Sequence, residues 1–202
     1  VKSSTQILRM HGLRRSSIME GRMIAYKEYL KTFQEFTVFL DTDMLITNRF
    51  SLDESKGPIL CKREYGLDER LQSCVYKGEK KILFPEHSGK KLGEIFPYVG
   101  CFFADTNEAF LEEAIKTYAT LDQKHKLWFG DQIALKTAAS NNPFSTVSEK
   151  FVACDPLESL EARNSAAILH FKGAKLKPLM KEIFNNMHAS RNVRPSACFL
   201  FM

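Results

Sequence analysis

Val38, Phe39 and Leu40 form a short run of branched and aromatic residues that breaks at Asp41-Thr42-Asp43. Such a run reads as a buried strand that ends in a carboxylate turn. Upstream, Met19, Met23, Tyr26, Leu30 and Phe33 recur at spacings of four and three, the stripe of a core-facing helix. Ser17 and Glu20 form a capping box at its start. Arg22 lies just off that stripe, where a long cationic side chain is free to snorkel to solvent. Downstream, residues 59–61 and 81–84 read as short strands, with a loop or small hairpin carrying Tyr65, Gly66 and Gly78 between them. Tyr98 to Phe103 reads as a further strand, and residues 107–121 as an amphipathic helix with Phe110, Ala114, Tyr118 and Leu121 on one face. Residues 133–139 continue as helix, with Asp131 expected as its N-cap or as a cleft-facing carboxylate. Asp155-Pro156 caps another helix, residues 166–170 form an apolar strand, and Pro178 opens a last helix with Leu179, Met180, Ile183, Phe184 and Met187 as its stripe.

Alternation of strand and helix predicts an α/β fold with a mostly parallel central sheet flanked by helices, built as a single domain over residues 1–202. In such sheets ligands sit beyond the carboxyl ends of the strands, where this reading puts both Asp41 with Asp43 and His170. The chain is ordinary for a soluble globular protein, 44% apolar and 26% charged. A net charge of +5 without an arginine-rich run suits an anionic small substrate and argues against nucleic acid. The five cysteines include no Cys-x-x-Cys pair, so a reducing compartment is expected rather than a disulfide framework. No apolar stretch approaches the ~20 residues that span a bilayer, and the expectation is a cytoplasmic enzyme or a soluble catalytic domain cut from an anchored one.

Two carboxylates one residue apart at a strand end make a site for a hard cation such as Mn²⁺ or Mg²⁺, which in turn holds a diphosphate. An isolated Asp-x-Asp is also a common polar turn. The second strand end adds His170, a competent third ligand beside carboxylates. After it, Gly173 lets backbone approach an anion, and Lys172, Lys175 and Lys177 supply positive charge.

With these motifs in this order, the chain resembles the family 8 glycosyltransferases and their GT-A-fold (Rossmann-like) relatives. Their metal motif is Asp-x-Asp after an apolar strand, and their late motif is His-Phe-x-Gly-x-x-Lys-Pro. His170, Phe171, Gly173 and Pro178 match it, but one extra residue puts Leu176 where the family has its phosphate-binding lysine. Lys175 or Lys177 must then take that role, and Lys177, kept extended before Pro178, is favoured. Asp131 and Gln132 match the family's Asp-Gln. Gly100 matches the glycine of its Asn-x-Gly strand, with Tyr98 in place of the asparagine. Arg22 stands roughly where the family carries a donor-binding arginine.

The resemblance implies a metal-dependent transferase moving a hexose from a nucleotide-diphosphate sugar, with UDP-sugar as the expected donor, to a saccharide, protein or lipid acceptor with retention. Asp41, Asp43 and His170 would hold Mn²⁺ (or Mg²⁺). Asp131 and Gln132 would be catalytic residues positioning the sugar, and Arg22, Gly100, Gly173, Lys175 and Lys177 would bind substrate. Only 40 residues precede Asp41, and they hold no full first nucleotide-binding βα unit, so an N-terminal truncation is expected. Two other classes fit the same residues: a metal-dependent nucleotidyltransferase or phosphohydrolase, and a non-catalytic nucleotide-sugar-binding module.

Overall fold

The computed structural model describes residues 18–64, 66–68, 74–76, 79–81, 87, 89–126, 129–153, 166–171 and 176–190. In chain order the elements are α1 (Ile18–Phe33), β1 (Thr37–Leu40), β2 (Met44–Ile46), β3 (Ile59–Lys62), β4 (Cys74–Tyr76), β5 (Glu79–Lys81), α2 (Leu92–Ile95), β6 (Tyr98–Asp105), α3 (Ala109–Thr120), α4 (Gln123–Lys126), α5 (Gly130–Asn141), β7 (Ser145–Ser148), β8 (Val152–Ala153), β9 (Ile168–His170) and α6 (Lys177–Ser190). The fold is α/β, with a mixed four-stranded sheet flanked by helices. Two units make up the described chain. The smaller holds residues 40–52, 149–153, 166–171 and 176–190, and the larger holds residues 18–39 and the described residues from 53 to 148.

In the larger unit the strand order is β1-β6-β3-β7. Strand β3 runs antiparallel to β6, with a register shift between Leu60 and Cys61, and parallel to β7, where Ile59 faces Ser145. The sheet is therefore mixed where the alternation of elements predicted a mostly parallel one. Val99, Cys101, Phe102, Phe103 and Ala104 of β6 are all buried, the near-continuous burial of a strand covered on both faces. Helices α1, α3 and α5 supply Met23, Tyr26, Leu30, Phe110, Leu111, Ala114, Tyr118, Ala134, Leu135 and Ala138 to the core around Phe39, Leu60 and Phe103. Tyr26 stacks on Phe39 at 4.1 Å between ring centroids. Full burial of an aliphatic or Phe side chain contributes about 1.5–3 kcal/mol. Phe33, expected in the stripe of α1, ends the helix exposed and packs against Tyr29 instead. Asp105 closes β6, where its Oδ1 accepts from the Thr106 and Asn107 amides and turns the chain into α3.

In the smaller unit β9 lies between β2 and β8, antiparallel to the first and parallel to the second. The expected stripe of the last helix is realised. Leu179, Met180, Ile183, Phe184 and Met187 of α6 pack against Leu45, Ala166, Leu169 and Phe171. Leu176 joins them. Lys177 opens α6 rather than staying extended, because a helix start tolerates the missing amide of Pro178. Ser17, Tyr65, Gly78, residues 82–84, Cys154, Asp155, Pro156, Lys172, Gly173, Lys175 and Cys198 lie outside the described residues. No helix among the described residues is long and apolar enough to cross a membrane.

Candidate functional site

Asp41 and Asp43 occupy the tight turn that follows β1, closed by a hydrogen bond from the Met44 amide to the Asp41 carbonyl at 3.1 Å. Strand register then decides their company. In the antiparallel β2–β9 pair Met44 faces His170, so Asp43 stands beside the end of β9 across 127 residues of sequence. The Phe171 amide donates to the Asp43 carbonyl at 2.8 Å and fixes the two strand ends together. Asp41, Asp43 and His170 each present a ligand atom, all within 4.8 Å of one another. Two carboxylate oxygens and one imidazole nitrogen form a donor set that suits Mn²⁺.

The same carboxylate already has protein partners. His170 Nε2 lies 3.1 Å from Asp43 Oδ1, and Lys177 Nζ donates to Asp43 Oδ2 at 3.1 Å. His170 is buried, Asp43 half-buried and Lys177 exposed. Burial by itself would raise the pKa of Asp43. The bonds and charges of His170 and Lys177 outweigh it and hold the group down at about 2. An ionised carboxylate only accepts, so the His170 nitrogen facing it carries the proton. A cation taking that nitrogen must replace this proton.

A second set of predicted residues meets in the larger unit. Arg22, on α1, is buried rather than snorkelling, because its Nη2 pairs with Asp131 Oδ2. Asp131 is not the N-cap of α5. It is the second residue of the helix, after a Phe129 cap that makes no side-chain bond, and its carboxylate points at the guanidinium. Gly100, on β6, makes room for this pair. A Cβ there would stand 3.1 Å from both Arg22 Nη2 and Asp131 Cγ. Gln132 takes a bond on Oε1 from Arg63 Nη2 at 2.8 Å. Arg63 follows β3 directly and is itself buried. Nothing in the sequence marked it, since a charged residue at a strand end is ordinarily solvated.

The structure thus brings Asp41, Asp43, His170 and Lys177 together in one unit, and Arg22, Gly100 and Asp131 together in the other. Tyr98 is half-buried and packs edge-on against Phe144 at 5.4 Å. The chain matches no family model and no curated protein.

Proposed function

We propose that this chain is a metal-dependent glycosyltransferase of GT-A type that transfers a hexose from a nucleotide-diphosphate sugar, a UDP-hexose, to an acceptor with retention. One observation carries the reading: Asp41, Asp43 and His170 put two carboxylates and an imidazole within 4.8 Å of one another beside a lysine. When bound, a divalent cation supplies positive charge to the diphosphate. Asp41 and Asp43 would hold it as anionic oxygen ligands, and His170 would complete the set through a ring nitrogen. Lys177 gives a second positive charge that favours the departing diphosphate. Asp131 and Gln132 keep the sugar-positioning role that the family resemblance implies. Arg22 acts through Asp131, whose carboxylate it orients.

A third carboxylate in place of His170 would favour the nucleotidyltransferase or phosphohydrolase alternative. Among the described residues the candidate metal group contains the imidazole instead. A non-catalytic role draws support from a specific feature, the occupation of both Asp43 oxygens by protein groups. Incubation with Mn²⁺ and a panel of nucleotide sugars, with and without saccharide acceptors, separates these readings. Nucleotide diphosphate release stimulated by acceptor supports transfer. Monophosphate or pyrophosphate release supports the alternative chemistry, and binding without release supports the non-catalytic module.

A further inference from the structure

Antiparallel partners project to the same face of a sheet, and alternate residues to opposite faces. Leu45 and Leu169, paired in β2 and β9, pack against α6. The pairs Met44 with His170 and Ile46 with Ile168 therefore share the other face. His170 stands at one end of that face. At the other, Ile46 opens a cavity of about 360 Å³, exposed to solvent and lined by Ile46, Thr47, Asn48, Arg49 and Phe50. Its volume falls within the ~300–1,000 Å³ of small-molecule sites.

The wall of the cavity is held in place within the smaller unit. The Thr47 and Asn48 amides donate to the Ala167 carbonyl at 2.9 and 3.3 Å, and Asn48 Nδ2 donates to the Ala166 carbonyl at 2.7 Å. Phe50 meets Phe151 edge-on at 5.2 Å. The Phe151 carbonyl in turn accepts from the Ala167 and Ile168 amides. Arg49 projects from this wall, exposed, and forms no hydrogen bond or ion pair with a described residue. The other described arginines, Arg22 and Arg63, are both buried and bonded. No lining residue carries a negative charge, so nothing in the cavity neutralises the guanidinium. Ile46, 49% exposed, and Phe50 add apolar surface beside it. A ligand with an apolar body and an anionic end complements that combination. One planar guanidinium matches a carboxylate, meeting its single charge and two oxygens with two parallel bonds. A phosphate monoester, with about −1.5 to −2 charges, exceeds what one arginine balances.

We infer that this cavity binds a small organic carboxylate, with its ring or chain against Ile46 and Phe50 and its charge on Arg49. The site is distinct from the Asp41, Asp43 and His170 cluster, since Ile46 lies two residues beyond Met44, about 7 Å along β2. It goes beyond the transferase reading and does not depend on it.

Titration of the full chain with benzoate, free of metal and nucleotide and followed by ¹H–¹⁵N NMR at the arginine Nε–Hε signals, tests this. The Arg49 signal, identified by its loss in Arg49→Gln, is expected to shift saturably with a Kd of about 1–10 mM, ordinary for a ligand of this size. Acetate lacks the apolar body and benzamide lacks the charge, so each should bind at least about tenfold more weakly. Phenyl phosphate should bind no more tightly than benzoate. Arg49→Gln should weaken benzoate about tenfold or more, read at the backbone amides of residues 46–50. Arg49 bonds to no described residue, so this variant should keep the fold, and the wild-type arms with acetate and benzamide carry the test on their own. The site is overturned if benzoate binds wild type and Arg49→Gln alike, if acetate or benzamide matches benzoate, or if no saturable shift appears up to about 50 mM. Tighter binding of phenyl phosphate than of benzoate overturns the assignment to carboxylates. Every arm omits metal and nucleotide, so these outcomes leave the transferase reading where it stands.

Discussion

Lys177 Nζ and His170 Nε2 each lie 3.1 Å from Asp43, one on each carboxylate oxygen. The lysine is half exposed, and an exposed pair of this kind contributes about 0.2–1 kcal/mol. A divalent cation at Asp43 competes with that ammonium. Lys177→Met is therefore expected to raise the affinity for Mn²⁺ alone by about two- to fivefold. With UDP present the sign should reverse, because the lysine becomes a phosphate contact contributing about 1.5–3 kcal/mol. Mn²⁺ titration by electron paramagnetic resonance, with and without UDP, reads both arms. Equal affinity in both arms for wild type and variant removes Lys177 from the site.

Metal and nucleotide should also depend on each other thermodynamically. Three protein ligands leave a Mn²⁺ ion with open positions, so UDP is expected to complete the set and Mn²⁺ to raise the melting temperature much more together with it than alone. Asp43→Asn should abolish the joint shift. Full transfer activity in Asp43→Asn would exclude the metal role of this carboxylate.

The depressed Asp43 group makes an acid limb in stability. Its folded value is about 2, against an ordinary 3.8. A carboxylate that is more acidic in the folded chain stabilises it above the unfolded value, and that contribution disappears as pH falls through the folded value. The window is therefore from about pH 4 down to about pH 2, with a loss of about 1–2 kcal/mol after screening of the half-exposed lysine. Urea unfolding of the metal-free chain across this range should show a steeper fall for wild type than for Asp43→Asn. Parallel curves would mean that the pairing contributes nothing to folding.

Breaking the Arg22–Asp131 pair removes the opposite charge beside a buried ionic side chain. Arg22→Met or Asp131→Asn should each cost about 3–5 kcal/mol, and the double variant less than the sum. Gly100→Ala acts on the same pair from the sheet side, since its new Cβ meets both partners. A cost of about 2–4 kcal/mol is expected for it, in the range of overpacking plus a disturbed ion pair. Chemical denaturation of the four variants checks this. A freely tolerated Gly100→Ala would show that strand and pair have more room than the geometry gives.

Gly130 is a second place where only hydrogen fits. A Cβ there would come 2.7 Å from Tyr118 Cε2 and 2.8 Å from the His125 carbonyl. Tyr118 cannot yield easily, being fully buried with its hydroxyl donating to the Lys126 carbonyl at 2.9 Å. Gly130→Ala should destabilise the larger unit by about 1–3 kcal/mol despite the better helix propensity of alanine. Thermal unfolding gives the sign directly.

Periodicity along the chain determined the elements and which faces they bury. The stripe of α6 and the core residues of α1 and α3 follow from spacing, because an apolar face must be covered whatever covers it. Strand ends at Leu40 and His170 were legible for the same reason. Strand direction was not, since a hydrophobic run reads alike both ways, and the sheet proved mixed. The β2–β9 register, set by pairing across 127 residues, decided that Asp43 meets His170. Local pattern offered Arg22 a place in solvent and Asp131 a helix cap beside their substrate-facing alternatives, and neither local placement holds. Each is buried because the other neutralises it, and opposite charges distant in sequence leave no periodic trace. Arg63 escaped the sequence entirely: its partners are a backbone carbonyl at Phe96 and an amide oxygen on another helix, groups that only the tertiary structure could bring to it.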